Sequence, residues 1–278
     1  MEYVTLNNGI KMPQLGFGVY QISVPETERC VNQALEIGYR LLDTAQFYGN
    51  EEGVGRAIRH SGLPRQEIFL TTKLWFTESG YERARAAIAS SLEKLGLDYI
   101  DLFLIHQPYG DYYGAYRALE EAYREGTVKA LGVSNFYPDR LIDICHFAQV
   151  KPALNQIELH VFQQQPSSME TMRRYGVQPE AWGPLARGRR DLFTNPLLNQ
   201  IAQRHGRPVS QIALRYLLQL GVVIIPKSTH PERMAENFDL FGFQLDESEM
   251  QALATLNEGD YLAPPPSRTE HVLNLIRN

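Results

Sequence analysis

The chain has 278 residues, 44% hydrophobic and 21% charged, a balance ordinary for a globular enzyme and long enough to bury a large core. A net charge of −5 without a long basic run argues against nucleic acid or an anionic membrane as partner. No apolar stretch approaches the ~20 residues of a membrane span, and the start, MEYVTLNNGIKMPQLG, lacks a basic patch followed by an apolar segment, so the expectation is a cytoplasmic protein.

YVTLNNGIKM alternates on either side of Asn8-Gly9 and predicts a β-hairpin. Short apolar runs then alternate with helical patterns. PQLGFGVY precedes a helix over 25–37, in which Cys30 sits without a companion cysteine at disulfide or zinc spacing; Cys145 is equally alone, and both read as small buried thiols. YRLLDT precedes NEEGVGRAIRHS, IFLTTKLW precedes YERARAAIASSLEKLG, and YIDLFLIH precedes AYRALEEAYREG. VKALGVSN, PALNQIEL and VQPEAW are each followed by helical patterns, and VVIIPKS leads into PERMAENFDLF.

About eight strand-then-helix units without a linker, with strands nearly continuous in Val, Ile and Leu, predict parallel strands covered by helices. The fold class is therefore α/β, a single (β/α)8 TIM barrel domain over 1–278 with an N-terminal hairpin and an extra C-terminal helix. That added helix is DESEMQALATLN, with Asp246 as N-cap and Glu249 completing a capping box. The Pro-rich stretch YLAPPPSRTEHVL is expected to lie over one end of the barrel.

Barrel active sites form where strands end. The inferred strands end on Asp43, Lys73, His106, Ser134-Asn135, Trp182 and Lys227-Ser228, and the sixth passes Asn155 and Gln156. Singly, each has a structural explanation as a turn former, a rim charge or a satisfied core residue. Together they put an acid, a base, an imidazole, amides and an indole on one wall. A phenol titrates near 10 and is a slow acid at neutral pH, whereas a nearby ammonium can lower it by roughly 1–3 pH units. Asp43 would hold Lys73 charged, Lys73 would lower Tyr48, and His106 would share the same substrate oxygen. A plain turn role for Asp43 stays open at this point.

A proton donor makes an alcohol from a carbonyl only if something supplies hydride. GFGVYQ and EEGVGRAI each lack the third glycine of a dinucleotide fingerprint, and neither stands in a Rossmann context. IPKSTHPERMAEN instead places Lys227, Ser228, Thr229 and Arg233 between a strand end and a helix start, which suits phosphate. An ordinary loop with a solvated lysine and a helical salt bridge fits those residues equally well.

LDTAQFYGNEEGVG, TTKLW, LIHQP, GVSNF, NQIELH, EAWGPLARG and IPKSTHPERMAEN, taken in this order and spacing, resemble the aldo-keto reductase superfamily, and most closely its compact microbial 2,5-diketo-gluconate and methylglyoxal reductase-like members. The resemblance implies NADPH-dependent reduction of aldehydes or ketones (small dicarbonyls, aromatic aldehydes or keto-sugars) by a monomer without nucleic-acid or membrane partners. It implies Tyr48 as general acid assisted by Lys73 and Asp43, with His106 orienting the carbonyl. Ser134, Asn135 and Gln156 would hold the nicotinamide carboxamide, and Trp182 with Gly183, Pro184 and Leu185 would line the ring. Lys227, Ser228, Thr229 and Arg233 would take the adenosine 2′-phosphate and Glu236 and Asn237 the adenine, favouring NADPH while leaving NADH open.

The chain departs from that family at Gln107, where a Trp is frequent. The remaining expected pocket wall is aromatic: Tyr20, Trp75 and Tyr109, with Tyr112 or Tyr113 as further candidates. The alternative, a non-catalytic NADP-binding regulatory barrel, has no need of all four of Asp43, Tyr48, Lys73 and His106. A metal-dependent barrel hydrolase would need several His and carboxylates at strand ends, and no metal is expected.

Overall fold

The computed structural model describes residues 1–259 together with Tyr261, Leu262, Glu270 and Leu273. The chain opens with a hairpin of β1 (Tyr3–Thr5) and β2 (Lys11–Pro13), turned by Gly9 at φ 87°. Eight parallel strands follow in sequential order: β3 (Phe17–Gly18), β4 (Leu41–Asp43), β5 (Phe69–Leu74), β6 (Leu102–Ile105), β7 (Leu131–Ser134), β8 (Leu154–Glu158), β9 (Gln178–Trp182) and β10 (Val223–Ile224). The first and last strands meet through a parallel bridge between Leu15 and Ile224, with Gly16 N–H donating to Ile224 O at 2.8 Å and Ile224 N–H to Gln14 O at 3.0 Å, so the barrel closes.

Helices α1 (Val24–Ile37), α2 (Glu51–His60), α3 (Tyr81–Leu95), α4 (Tyr112–Glu125), α5 (Pro138–Phe147) and α6 (Pro166–Tyr175) cover the strands in turn. α7 (Pro196–His205) and α8 (Val209–Gln219) both lie between β9 and β10; α9 (Pro231–Phe238) and α10 (Glu247–Ala254) complete the described helices. The capping box of Asp246 and Glu249 is present at α10 as expected. α4 starts three residues before the expected Ala115, because Asp111 caps it by accepting from Gly114 N–H at 2.8 Å. β10 is short because Pro226 has no N–H to extend the ladder.

The glycine pairs that fail as a nucleotide fingerprint are packing devices. A Cβ on Gly55 of α2 would stand 2.0 Å from Leu95 O of α3, and one on Gly18 would stand 2.9 Å from Ile225 O across the closing seam.

One apolar core fills the space between helices and sheet; a second lies inside the barrel, with Leu41, Phe69, Leu102, Leu104, Leu154 and Val223. Leu6 and Met12 of the hairpin belong to this inner cluster and seal the N-terminal end. The two-residue strand period then carries Asp43, Thr71, Lys73, Gln156 and Glu180 onto the same inner face one step further along. A buried polar layer therefore sits above the apolar plug. Both cysteines are buried and unpaired. Tyr261 and Leu262 reach the end of β8, where Leu262 N–H donates to Glu158 Oε1 at 2.6 Å; the rest of the Pro-rich stretch expected over the barrel lies outside the described residues, apart from Glu270 and Leu273.

Candidate active site

β4 ends on Asp43 and the chain turns at once into a single 3-10 turn, Gln46–Tyr48. This turn is tied on three sides. Gln46 donates to Ala87 O and Ser91 Oγ and accepts from Trp75 N–H; Thr44 donates to Asn50 Oδ1, whose own amide donates to Val19 O. Tyr48 is held by backbone and amide contacts rather than left on a mobile loop.

Lys73 rises from β5 beneath it and is fully buried. Its three ammonium hydrogens meet three acceptors: Asp43 Oδ1 at 2.6 Å, Thr44 O at 2.9 Å and Tyr48 Oη at 3.4 Å. Burial opposes the charged ammonium, but Asp43, with Tyr48 and Glu180 adding to it, holds Lys73 above the ordinary lysine value. Burial also lifts Asp43 above the usual carboxylate range, against the pull of Lys73 and of a hydrogen bond from Gln156. With the lysine charged and both carboxylate oxygens accepting hydrogen bonds, the two form an ion pair.

The expected lowering of Tyr48 does not hold. Burial pushes its phenol up to about 12, and Lys73 only moderates the rise. Desolvation of the buried phenol is the larger effect here and outweighs the nearby ammonium. Tyr48 is thus fully protonated through the neutral range. His106 moves the opposite way: burial, with the Lys73 charge adding, lowers it well below its ordinary value, so the imidazole is neutral. Its Nδ1 is buried without a hydrogen-bond partner among the described residues, and the residue faces the cavity.

Above these groups opens a cavity of about 870 Å³, within the size range of small-molecule and cofactor sites. Asp43, Tyr48 and His106 line its floor, and Lys73 lies beneath it. Tyr20, Trp75 and Gln107 stand in its wall as expected. Tyr109 does not: its ring packs edge-on against Phe76, and its carbonyl accepts from Ser79 Oγ, which turns it away from the cavity. Tyr112 and Tyr113 are also elsewhere, bonded to Asp143 on the α4–α5 side.

Ser134, Asn135, Gln156, Trp182, Gly183, Pro184 and Leu185 form the middle of the cavity. Asn135, at φ 61°, donates to His106 O and Ser134 Oγ and accepts from Trp182 Nε1–H at 2.9 Å, fixing the indole. Lys227, Ser228, Thr229, Arg233, Glu236 and Asn237 line the far end. Ser228 Oγ accepts from His230 N–H just before α9, and no carboxylate among the described residues lies within ion-pair distance of Lys227 or Arg233. The cavity thus runs from a neutral aromatic end, past a flat indole and amides, to two unpaired cations at a helix N-terminus. That sequence of surfaces fits a nicotinamide dinucleotide bearing a 2′-phosphate.

Several wall residues have no role implied by the motifs in which they stand. Phe47, beside Tyr48, stacks on Trp75 at 4.1 Å between centroids. Arg187 places its guanidinium 5.2 Å from the Trp182 ring centre, and Phe193, Ser210 and His230 complete the far wall. The basic run LARGRRD, which starts at Leu185, is the available signal for Arg187.

Residues 14–258 match the Aldo/keto reductase family. The glyoxal reductase of Bacillus subtilis is 43% identical over 267 residues, covering 95% of this chain and 96% of its own length. Among solved structures, MGS-M4, an aldo-keto reductase from a Medee basin deep-sea metagenome library, superposes with a TM-score of 0.93 at 44% identity, over 94% of this chain and 97% of its own. An aldo-keto reductase of Bombyx mori in complex with NADP gives 0.91 at 32% identity, over 97% of each chain.

Proposed function

We propose that this chain, which belongs to the aldo/keto reductase family and is an oxidoreductase, reduces aldehydes and ketones to alcohols with NADPH, Tyr48 giving the proton to the carbonyl oxygen. What NADPH supplies when bound is a hydride for the carbonyl carbon, and the remaining proton comes from the protein. The observation that carries this reading is the buried Lys73–Asp43 pair directly under the Tyr48 hydroxyl, on the floor of an elongated cavity.

A phenol at about 12 remains a competent donor for this task. An alkoxide is roughly as basic as hydroxide, near a pKa of ~16, so proton transfer from Tyr48 is downhill once charge develops on the oxygen. Lys73 is poised to stabilise the phenolate that remains, and Asp43 keeps Lys73 charged throughout. Neutral His106 can donate its ring N–H to the same oxygen without placing a second cation there. Trp182, clamped by Asn135, offers a flat face that orients the nicotinamide ring. Lys227, Ser228, Thr229 and Arg233 take the 2′-phosphate, with Glu236 and Asn237 at the adenine.

The substrate end is walled by Tyr20, Phe47, Trp75, His106 and Gln107, with no fixed charge among the described residues besides the catalytic set. Small dicarbonyls suit such a wall, in keeping with the glyoxal reductase relative. The test is NADPH consumption, followed by absorbance, with glyoxal, methylglyoxal, an aromatic aldehyde and a keto-sugar. Turnover of at least one is expected. NADPH binding without turnover of any would favour a regulatory barrel instead.

A further inference from the structure

Glu180 takes no part in the chemistry above, yet it is fully buried in the polar layer under the cavity. On β9 it stands in register with Gln156 of β8. Gln156 Nε2 donates to Asp43 Oδ2 at 2.8 Å and to Glu180 Oε2 at 2.9 Å. The geometry points to Glu180 as a positioning residue: it takes one hydrogen of the Gln156 amide while Asp43 takes the other, so that Gln156 presents its oxygen to the cleft and serves as an acceptor for the carboxamide N–H of a nicotinamide.

Three observations support it. An atom shared between two carboxyl oxygens, one of them on the ionised Asp43, must be the amide nitrogen, because an oxygen there would face a like partner. Gln156 lines the cavity, and its Oε1 has no hydrogen-bond partner among the described residues. The neighbouring donors are already committed, since Asn135 gives both amide hydrogens to His106 O and Ser134 Oγ, and Ser134 Oγ gives its own to Gln156 O. Asp43 alone would leave the amide free to pivot about one bond and to swing its second hydrogen into the cleft. Glu180 is the second anchor.

The charge state agrees. Burial, and then repulsion from Asp43, raise Glu180 to about 8 against the opposing pull of Gln156 and Lys73. The groups facing it are Asp43 from β4, Lys73 from β5 and Gln156 from β8, while its β10 neighbour in register is Val223. At neutral pH the layer therefore holds one cation, one anion and a mostly uncharged carboxyl that still accepts from Gln156.

The inference rests on the reading of the cavity as an NADPH site. Both tryptophans of the chain, Trp75 and Trp182, line that cavity, so intrinsic fluorescence reports binding without turnover. The probes are NADP+ and its 3-acetylpyridine analogue, whose methyl ketone keeps the carbonyl and lacks the N–H donors. Wild type should bind NADP+ about tenfold tighter than the analogue, the loss of one hydrogen bond. Glu180→Met, which removes the second anchor, should bring the two affinities to within about threefold. Glu180→Gln, whose amide oxygen can still accept from Gln156, should restore the preference. A Glu180→Met variant with the wild-type ratio would overturn the role, and so would a wild-type protein that binds both probes equally, a result needing no variant to fold. Absence of quenching by either probe would instead remove the cofactor reading, and this inference with it.

Discussion

The two ends of the cavity are built on opposite principles. At the Tyr48 end Lys73 is fully buried with every ammonium hydrogen committed, and the turn carrying Tyr48 is pinned by Gln46, Thr44 and Asn50. At the other end Lys227 and Arg233 are exposed and have no ion-pair partner among the described residues. The first end has its electrostatics in place before any ligand arrives; the second keeps its charges uncommitted for one. Substitutions at the first should therefore disturb the fold as well as the chemistry, and those at the second only the affinity for nucleotide.

The largest departure should come from Lys73→Met, which strands Asp43 as a buried carboxylate without its cation. A loss of about 3–5 kcal/mol in urea unfolding is expected together with loss of turnover. Wild-type stability in that variant would mean the pair is no structural element. Next is the pH dependence of stability. Glu180 is raised from 4.5 to about 8 in the fold, so its protonated form is favoured by folding. Its contribution is complete below about 4.5 and is lost as pH rises to about 8, a change on the order of 5 kcal/mol. Urea midpoints measured across that window should fall in wild type and stay flatter in Glu180→Gln; parallel curves would deny Glu180 its raised value.

Arg233→Ala should weaken NADPH about 10–100-fold while leaving NADH and the unfolding midpoint nearly unchanged, as befits one charge-assisted contact at an uncommitted site. Equal losses for both nucleotides would show that Arg233 does not read the 2′-phosphate. The smallest effect sharpens the substrate wall. Phe47→Ala, which removes the ring stacked on Trp75, should raise KM for a small dicarbonyl about fivefold, an effect of roughly 1 kcal/mol. Tyr109→Ala should stay within about twofold of wild type, because Tyr109 faces Phe76 and not the cavity.

These contrasts also mark what a sequence can carry. Asp43, Lys73 and His106 were legible because each interrupts an apolar run at a strand end, and the barrel brings all such ends to one rim. The hairpin, with Asn8-Gly9, and the capping box at Asp246 were legible because each is a local device with its own residue signature. Phe47 and Tyr109 were not separable, since both are aromatics on loops after strands and only the packing of Trp75 and Phe76 decides which one meets the cavity. Glu180 reads as an ordinary carboxylate in VQPEAW, and its partner Gln156 emerges only from the register of β8 and β9. The rise of the Tyr48 phenol was missed for a related reason: the lysine is visible in a motif, whereas burial is a sum over the whole barrel.

The central claim is that Tyr48 delivers the proton. Single-turnover reduction of glyoxal by Tyr48→Phe loaded with saturating NADPH tests it most directly, with NADP+ affinity checked in parallel by tryptophan fluorescence. A rate lower by about 10²–10⁴-fold at near-wild-type affinity is the expected result. A rate within about threefold of wild type, with the nucleotide bound, would assign the proton to another group.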